Sequence, residues 1–131
     1  MRILVVDDHI LMRRIIIRLL HKLGHTECYE ASNGREAIRH LSDRSMDLVI
    51  TDWVMPEMNG LEFIQTMRAN HSMSDVPVLM VTTNDNKDDV LDALQAGVTN
   101  YIVKPFKPDT MMAKVRSLLA KRAAEAAPRP A

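Results

Sequence analysis

Ile3-Leu4-Val5-Val6-Asp7-Asp8 opens the chain with four consecutive apolar residues that stop abruptly at two carboxylates. An unbroken aliphatic run of this length suits a strand covered on both faces, whereas a half-solvated strand would alternate apolar and polar positions. From Ile10 the period changes. Leu11, Ile15, Leu19 and Leu23 recur at four-residue steps, with Arg14, Arg18, His21 and Lys22 largely off that stripe. This predicts an amphipathic helix, basic on its outer face and closed by Gly24. A buried strand followed by such a helix is one β/α unit, and its crossover must return to a parallel neighbour.

The same unit recurs along the chain. Thr26 to Ala31 carries Glu27 and Glu30 among its apolar residues and reads as an edge strand. Ser32-Asn33-Gly34-Arg35-Glu36 has the chemistry of a helix start, with Ala37, Ile38 and Leu41 facing inward. Leu48 to Thr51 is a third strand, and the loop Trp53-Val54-Met55-Pro56-Glu57-Met58-Asn59-Gly60 leads to a helix bearing Leu61, Ile64 and Met67. Pro77 precedes the fourth strand, Val78 to Val81, where a missing N–H is tolerated. A helix over Asn84 to Ala96 ends at Gly97, Val98 to Val103 is the fifth strand, and Pro108 sits near the start of the last helix. Five such units make an α/β fold, a doubly wound parallel sheet between two helical layers. The tail, Ala123 to Ala131, lacks apolar periodicity and is expected to be a flexible end or linker after a domain of residues 1–122.

Composition narrows the function. At 131 residues there is room for one domain. Seventeen basic and seventeen acidic residues leave no net field to draw nucleic acid or an anionic membrane. Apolar runs such as Val78 to Val81 fall far short of the ~18 residues of a membrane span, and the amino terminus does not resemble a secretory signal, so a cytoplasmic location is expected. The single cysteine, Cys28, has no disulfide partner and reads as a half-buried strand residue. His9, His21, His25, His40 and His71 show no metal-site spacing and are expected at the solvated surface, as are Arg13, Arg14, Arg18 and Lys22. The ten methionines are scattered and read as core filling.

Function in an open parallel sheet collects at the carboxyl ends of the strands. Here those ends are Asp7-Asp8, Asp52, Thr82-Thr83 and Lys104-Pro105. Three carboxylates brought together repel unless a cation joins them. An all-oxygen site with so few carboxylates suits Mg²⁺, whereas zinc would favour His or Cys. A metal-held aspartate facing an ammonium and a hydroxyl forms a phosphoryl-transfer site. Asp52 is the candidate nucleophile, Asp7 and Asp8 hold the metal, and Lys104 and Thr82 grip the phosphoryl oxygens. Walker, dinucleotide and nucleophile-elbow motifs are absent from the sequence.

Four fragments carry a resemblance: Leu4-Val5-Val6-Asp7-Asp8, Val49-Ile50-Thr51-Asp52 with Met55-Pro56-Glu57-Met58-Asn59-Gly60, Val81-Thr82, and Tyr101-Ile102-Val103-Lys104-Pro105-Phe106. In this order the chain, over about Met1 to Arg122, resembles the receiver domain of two-component response regulators. Within that family it looks closest to the stand-alone chemotaxis regulators of CheY type. The resemblance implies a flavodoxin-like sandwich with strand order 2-1-3-4-5. It implies that a histidine kinase is the phosphodonor, Asp52 the acceptor, and Lys104-Pro105 a cis peptide. It further implies that Mg²⁺ is bound by Asp8, Asp52 and the Val54 carbonyl, with Asp7 acting through water. Thr82 and Tyr101 would be the switch residues, remodelling the surface of helix four, strand five and helix five. Thr83 and Asn84 flank the site, and the Val54 and Asn84 positions are those that tune the lifetime of the acyl phosphate. Val54 is apolar where the best-known chemotaxis regulators carry a polar residue. A monomer is expected, acting on a flagellar motor switch component or a phosphotransfer protein. The alternatives are a phosphorelay intermediate or phosphate sink, or a receiver cut from a larger regulator. A Mg²⁺-dependent aspartyl-phosphate phosphatase would need a second aspartate at position 54, and a flavin module would need a hydroxyl-rich loop where Asp7-Asp8-His9 stands.

Overall fold

Every residue of two strands, Leu48–Thr51 and Val78–Thr82, is buried, which is the condition under which continuous apolar runs rather than alternating ones become strands. The computed structural model describes residues 1–55, 57–83 and 87–126, with the side chains at 87 and 126 left aside. The elements alternate: β1 (Arg2–Val6), α1 (Ile10–Lys22), β2 (Glu27–Ala31), α2 (Gly34–Asp43), β3 (Leu48–Thr51), α3 (Gly60–Ala69), β4 (Val78–Thr82), α4 (Lys87–Ala96), β5 (Asn100–Val103) and α5 (Pro108–Ala126). All neighbouring strands pair in parallel, in the order β2-β1-β3-β4-β5. This is the expected doubly wound, flavodoxin-like sheet.

Pleating divides the core into two. Leu4, Val6, Val49, Val78 and Met80 face one way, onto Ala37, Leu41, Phe63, Ile64, Met67 and Ala93 of α2, α3 and α4. Ile3, Val5, Leu48, Ile50, Leu79 and Val81 face the other way, onto Ile16, Leu20, Met111 and Val115 of α1 and α5. Burying each such side chain is worth about 1.5 to 3 kcal/mol, so both helical layers are held mainly by this contact.

The structure corrects the reading of α1. Leu11 and Ile15 are 76% and 51% exposed, and the face against the sheet is Ile16, Leu19 and Leu20, flanked by Met12 and Leu23. The helix is apolar around much of its circumference, and the sheet selects a stripe rotated from the four-residue one. Arg13 is also not solvated, since its side chain is only 13% exposed. Gly24 lies just past the helix end at φ 90°, a conformation costly for other residues, and its N–H bonds the His21 carbonyl. Cys28 is half-buried against the α1 and α5 core, and burial pushes its thiol pKa up.

Other boundaries move slightly. β2 starts at Glu27, α3 at Gly60 and β5 at Asn100, while α5 runs through Ala126, into the segment read as tail. The expected start of α4 at Asn84 falls outside the described residues, as do Pro56 and residues 127–131.

Candidate functional site

Strand register places the chemistry. Val6 pairs with Thr51, and Asp7 and Asp52 each extend the ladder by one residue, with Asp7 N–H on the Ala31 carbonyl at 3.1 Å and Asp52 N–H on the Val6 carbonyl at 3.0 Å. On the far side Thr82 pairs with Val103, and Lys104 N–H bonds the Thr82 carbonyl at 2.7 Å. Asp7, Asp52, Thr82 and Lys104 therefore leave the sheet at one level.

The carboxylates sit in little water: Asp7 is 1% exposed and Asp52 8%. Lys104 Nζ lies 3.3 Å from Asp7 Oδ2 and 3.2 Å from Asp52 Oδ2, one ammonium between two buried acids. The remaining oxygens also have partners. Asp52 Oδ1 accepts the Trp53 N–H at 2.7 Å, and Asp7 Oδ1 accepts the His9 N–H at 2.8 Å. Such pairing is required, because a buried charge without hydrogen bonds is strongly unfavourable.

Asp8 is more open, its side chain 33% exposed, and His9 Nδ1 lies 3.1 Å from Asp8 Oδ1. Asp7, Asp8 and His9 each offer a ligand atom within 4.8 Å of the others. Asp7 and Asp8 together with Asp52 make three carboxylates, two of which contact the single Lys104 ammonium. That leaves a negative, oxygen-rich mouth suited to a hard divalent cation.

Loop geometry fixes the far wall. Gly60 N–H donates to the Trp53 carbonyl at 2.8 Å, closing the Trp53-to-Gly60 loop. A Cβ at Gly60 would fall 2.8 Å from the Trp53 Cα, so no other residue fits without moving the backbone beside Asp52. Asn59 Oδ1 accepts the Glu62 N–H at 2.9 Å and caps α3. Val54 projects into solvent at 70% exposure.

The remaining expected residues fall as follows. Thr82 is 1% exposed at the end of β4, and Thr83 beside it is exposed. Asn84 lies outside the described residues. Tyr101 is partly buried against the α2–α4 core and pairs with Met80, two residues before Thr82, so its side chain and that of Thr82 stand on one face of the sheet. Its ring lies 5.6 Å from Lys114 Nζ. The Lys104-Pro105 peptide is cis.

Two residues were not anticipated. Arg13 Nη1 donates to the Asp7 carbonyl at 2.6 Å and its Nε to Glu30 Oε1 at 3.0 Å, tying α1 and β2 to the turn that carries the acids. His9 contacts both acids, and the signal available in the sequence was its adjacency to Asp7-Asp8.

Known proteins resemble this chain in sequence and in fold. Residues 3–116 match the family described as response regulator receiver domain. A "Chemotaxis protein CheY homolog" of Campylobacter jejuni is 47% identical over 97% of this chain and 98% of its own. The solved structure of Vibrio cholerae chemotaxis protein CheY4 superposes with a TM-score of 0.84 at 32% identity, covering 90% of this chain and 98% of that one. The receiver domain of the Pseudomonas aeruginosa sensor histidine kinase PA1611, solved with a magnesium ion in its active site cleft, gives 0.83 at 26% identity, over 91% and 97%. A parallel sheet of order 2-1-3-4-5, an acid cluster with its lysine at the strand ends, and a family match spanning most of the sequence together make this chain a member of the response regulator receiver domain family.

Proposed function

We propose that this chain is a chemotaxis response regulator that takes a phosphoryl group onto Asp52 from the phosphohistidine of a histidine kinase. The observation that carries the reading is the Lys104 ammonium held against Asp52 and Asp7, with Asp8 alongside. A carboxylate oxygen of Asp52 forms the new O–P bond as the donor's N–P bond breaks, and the imidazole nitrogen leaves with the bonding pair. In this reading Lys104 pairs with the phosphoryl oxygens and the buried Thr82 hydroxyl hydrogen-bonds them.

The donor set fits Mg²⁺, with Asp7, Asp8, Asp52 and the Val54 carbonyl as the residues that would hold it. When bound, the ion neutralises charge on the transferring group. Lys104 orients Asp52 from one side, while the Trp53 N–H fixes the rotation of its carboxylate.

The output follows from the shared face of Thr82 and Tyr101. When Thr82 turns toward the phosphoryl group it vacates space on that face, Tyr101 fills it, and the surface of α4, β5 and α5 changes. A partner such as a flagellar motor switch component or a phosphotransfer protein then binds the phosphorylated form more tightly, by ~5 to 150-fold for a typical coupling.

The test is acetyl phosphate with Mg²⁺ and intact mass spectrometry. Wild type should gain one phosphoryl group and Asp52→Asn none. Equal labelling of the variant would reject Asp52 as acceptor.

A further inference from the structure

We propose that His9 is a nitrogen ligand added to the acidic cluster, so that this site discriminates among divalent ions in favour of borderline transition metals such as Co²⁺ and Ni²⁺ over Mg²⁺. The inference rests on reading Asp7 and Asp8 as the divalent-cation site. It concerns what this chain's own His9 contributes there.

Geometry is the first support. His9 Nδ1 lies 3.2 Å from Asp7 Oδ1 and 3.1 Å from Asp8 Oδ1, and all three ligand atoms fall within 4.8 Å of one another. Adjacent ligands of an octahedral ion with bonds of about 2.1 Å stand roughly 3 Å apart, so the imidazole already occupies a ligand's distance from both acids. The placement is set by the backbone: His9 N–H bonds Asp7 Oδ1 at 2.8 Å, which folds the turn so that residue 9 returns over residue 7.

Freedom is the second. The His9 side chain is 72% exposed, and at the N-cap of α1 it makes no capping bond. Its ring can exchange its contact with the acids for coordination without breaking the core or the helix.

Chemistry supplies the direction. Mg²⁺ retains water and prefers oxygen, gaining little from an imidazole, whereas Co²⁺ and Ni²⁺ bind imidazole well and rank higher for mixed N/O sites. An all-carboxylate mouth would already favour those ions somewhat. His9 should widen the gap, and the part it adds is removable by mutation.

The experiment titrates Trp53 fluorescence with Mg²⁺, Co²⁺ and Ni²⁺ at pH 8. Trp53 is the single tryptophan and its N–H bonds Asp52. The proteins are wild type, His9→Asn and Asp8→Asn, with circular dichroism confirming the fold. Asparagine is a good N-cap, so His9→Asn should keep α1 intact. The expected result is a loss of about tenfold or more in Co²⁺ and Ni²⁺ affinity for His9→Asn, with Mg²⁺ affinity changed less than twofold. Asp8→Asn should weaken all three ions. Equal changes for Mg²⁺ and Ni²⁺ in His9→Asn, or none, would overturn the inference while leaving the magnesium site standing. A Ni²⁺ response that survives Asp8→Asn would place the ion elsewhere and overturn it too. No Mg²⁺ response in the wild type would reject the reading of the acidic site itself, and the inference with it.

Discussion

Lys104 Nζ reaches Asp52 Oδ2 at 3.2 Å across the end of β4, which lies between their two strands. The same ammonium touches Asp7 on β1, one strand further on. A single side chain thus spans the carboxyl ends of four successive strands, β5, β4, β3 and β1, and the two buried acids depend on it.

Removing that cation should be costly. Lys104→Met leaves Asp7 and Asp52 buried without a counterion, a situation typically worth roughly 3 kcal/mol. In urea unfolding at neutral pH with chelator, the variant should lose about that much, and less of it with saturating Mg²⁺. A loss under about 1 kcal/mol in chelator would show that the acids do not rely on Lys104.

Asp8 should act in the opposite sense. It adds a carboxylate to an already acidic cluster, and its partial exposure keeps the repulsion to roughly 1 kcal/mol. Asp8→Asn should therefore raise the metal-free melting temperature by a few degrees and abolish the rise that Mg²⁺ gives wild type. An unchanged or lower metal-free melting point would contradict this.

Gly60 and Gly34 make a matched pair. An added Cβ at Gly60 meets the Trp53 backbone at 2.8 Å, whereas at Gly34 it meets only the flexible Met58 side chain at 2.9 Å. Gly60→Ala should cost about 2 to 3 kcal/mol and shift Trp53 emission, while Gly34→Ala should cost less than about 1 kcal/mol. Thermal melts of the two variants decide; equal losses would mean that the loop yields as easily as a methionine.

Glu36 gives stability a pH dependence. Its Oε2 accepts the Ser32 N–H at 2.8 Å, and chiefly this bond lowers its pKa from the ordinary 4.5. A group whose folded-state pKa is depressed contributes stability above its unfolded value and loses it as pH falls through the folded one. Wild type should thus exceed Glu36→Gln by less than about 1 kcal/mol near pH 7, with the gap closing below pH 4.5. Urea midpoints from pH 7 to 3 measure this. A gap that widens toward acid would reverse the assignment.

Asp7, Asp52, Thr82 and Lys104 were legible because a parallel sheet aligns the carboxyl ends of its strands, so the residue after each apolar run is a site position whatever the loops do. The helical faces were less so. In α1 the apolar residues Ile10, Leu11, Ile15, Ile16, Leu19 and Leu20 support more than one stripe, and only docking on β1 and β3 selects Ile16 and Leu20. Arg13 was misplaced for the same reason, since its target is a main-chain carbonyl with no sequence signature. Arg68 is a further case: its guanidinium donates to the carbonyls of Gly97, Ser74 and Val76, joining the α3–β4 and α4–β5 loops at the end of the sheet opposite Asp52. Helix starts fared better, because Asn33 and Asn59 bond their own N3 amides locally.

The strands that supply the site are spread through the order of synthesis. Asp7 follows the first of the five strands and Lys104 the fifth, 97 residues later. Pairing of β1 with β3 sets the two acids side by side, and the segment after β5 supplies their ammonium. A chain cut before β5 would keep that carboxylate pair and lose the Lys104 ammonium that contacts both. The acidic half of the site thus comes from the first and third strands and the basic half from the fifth.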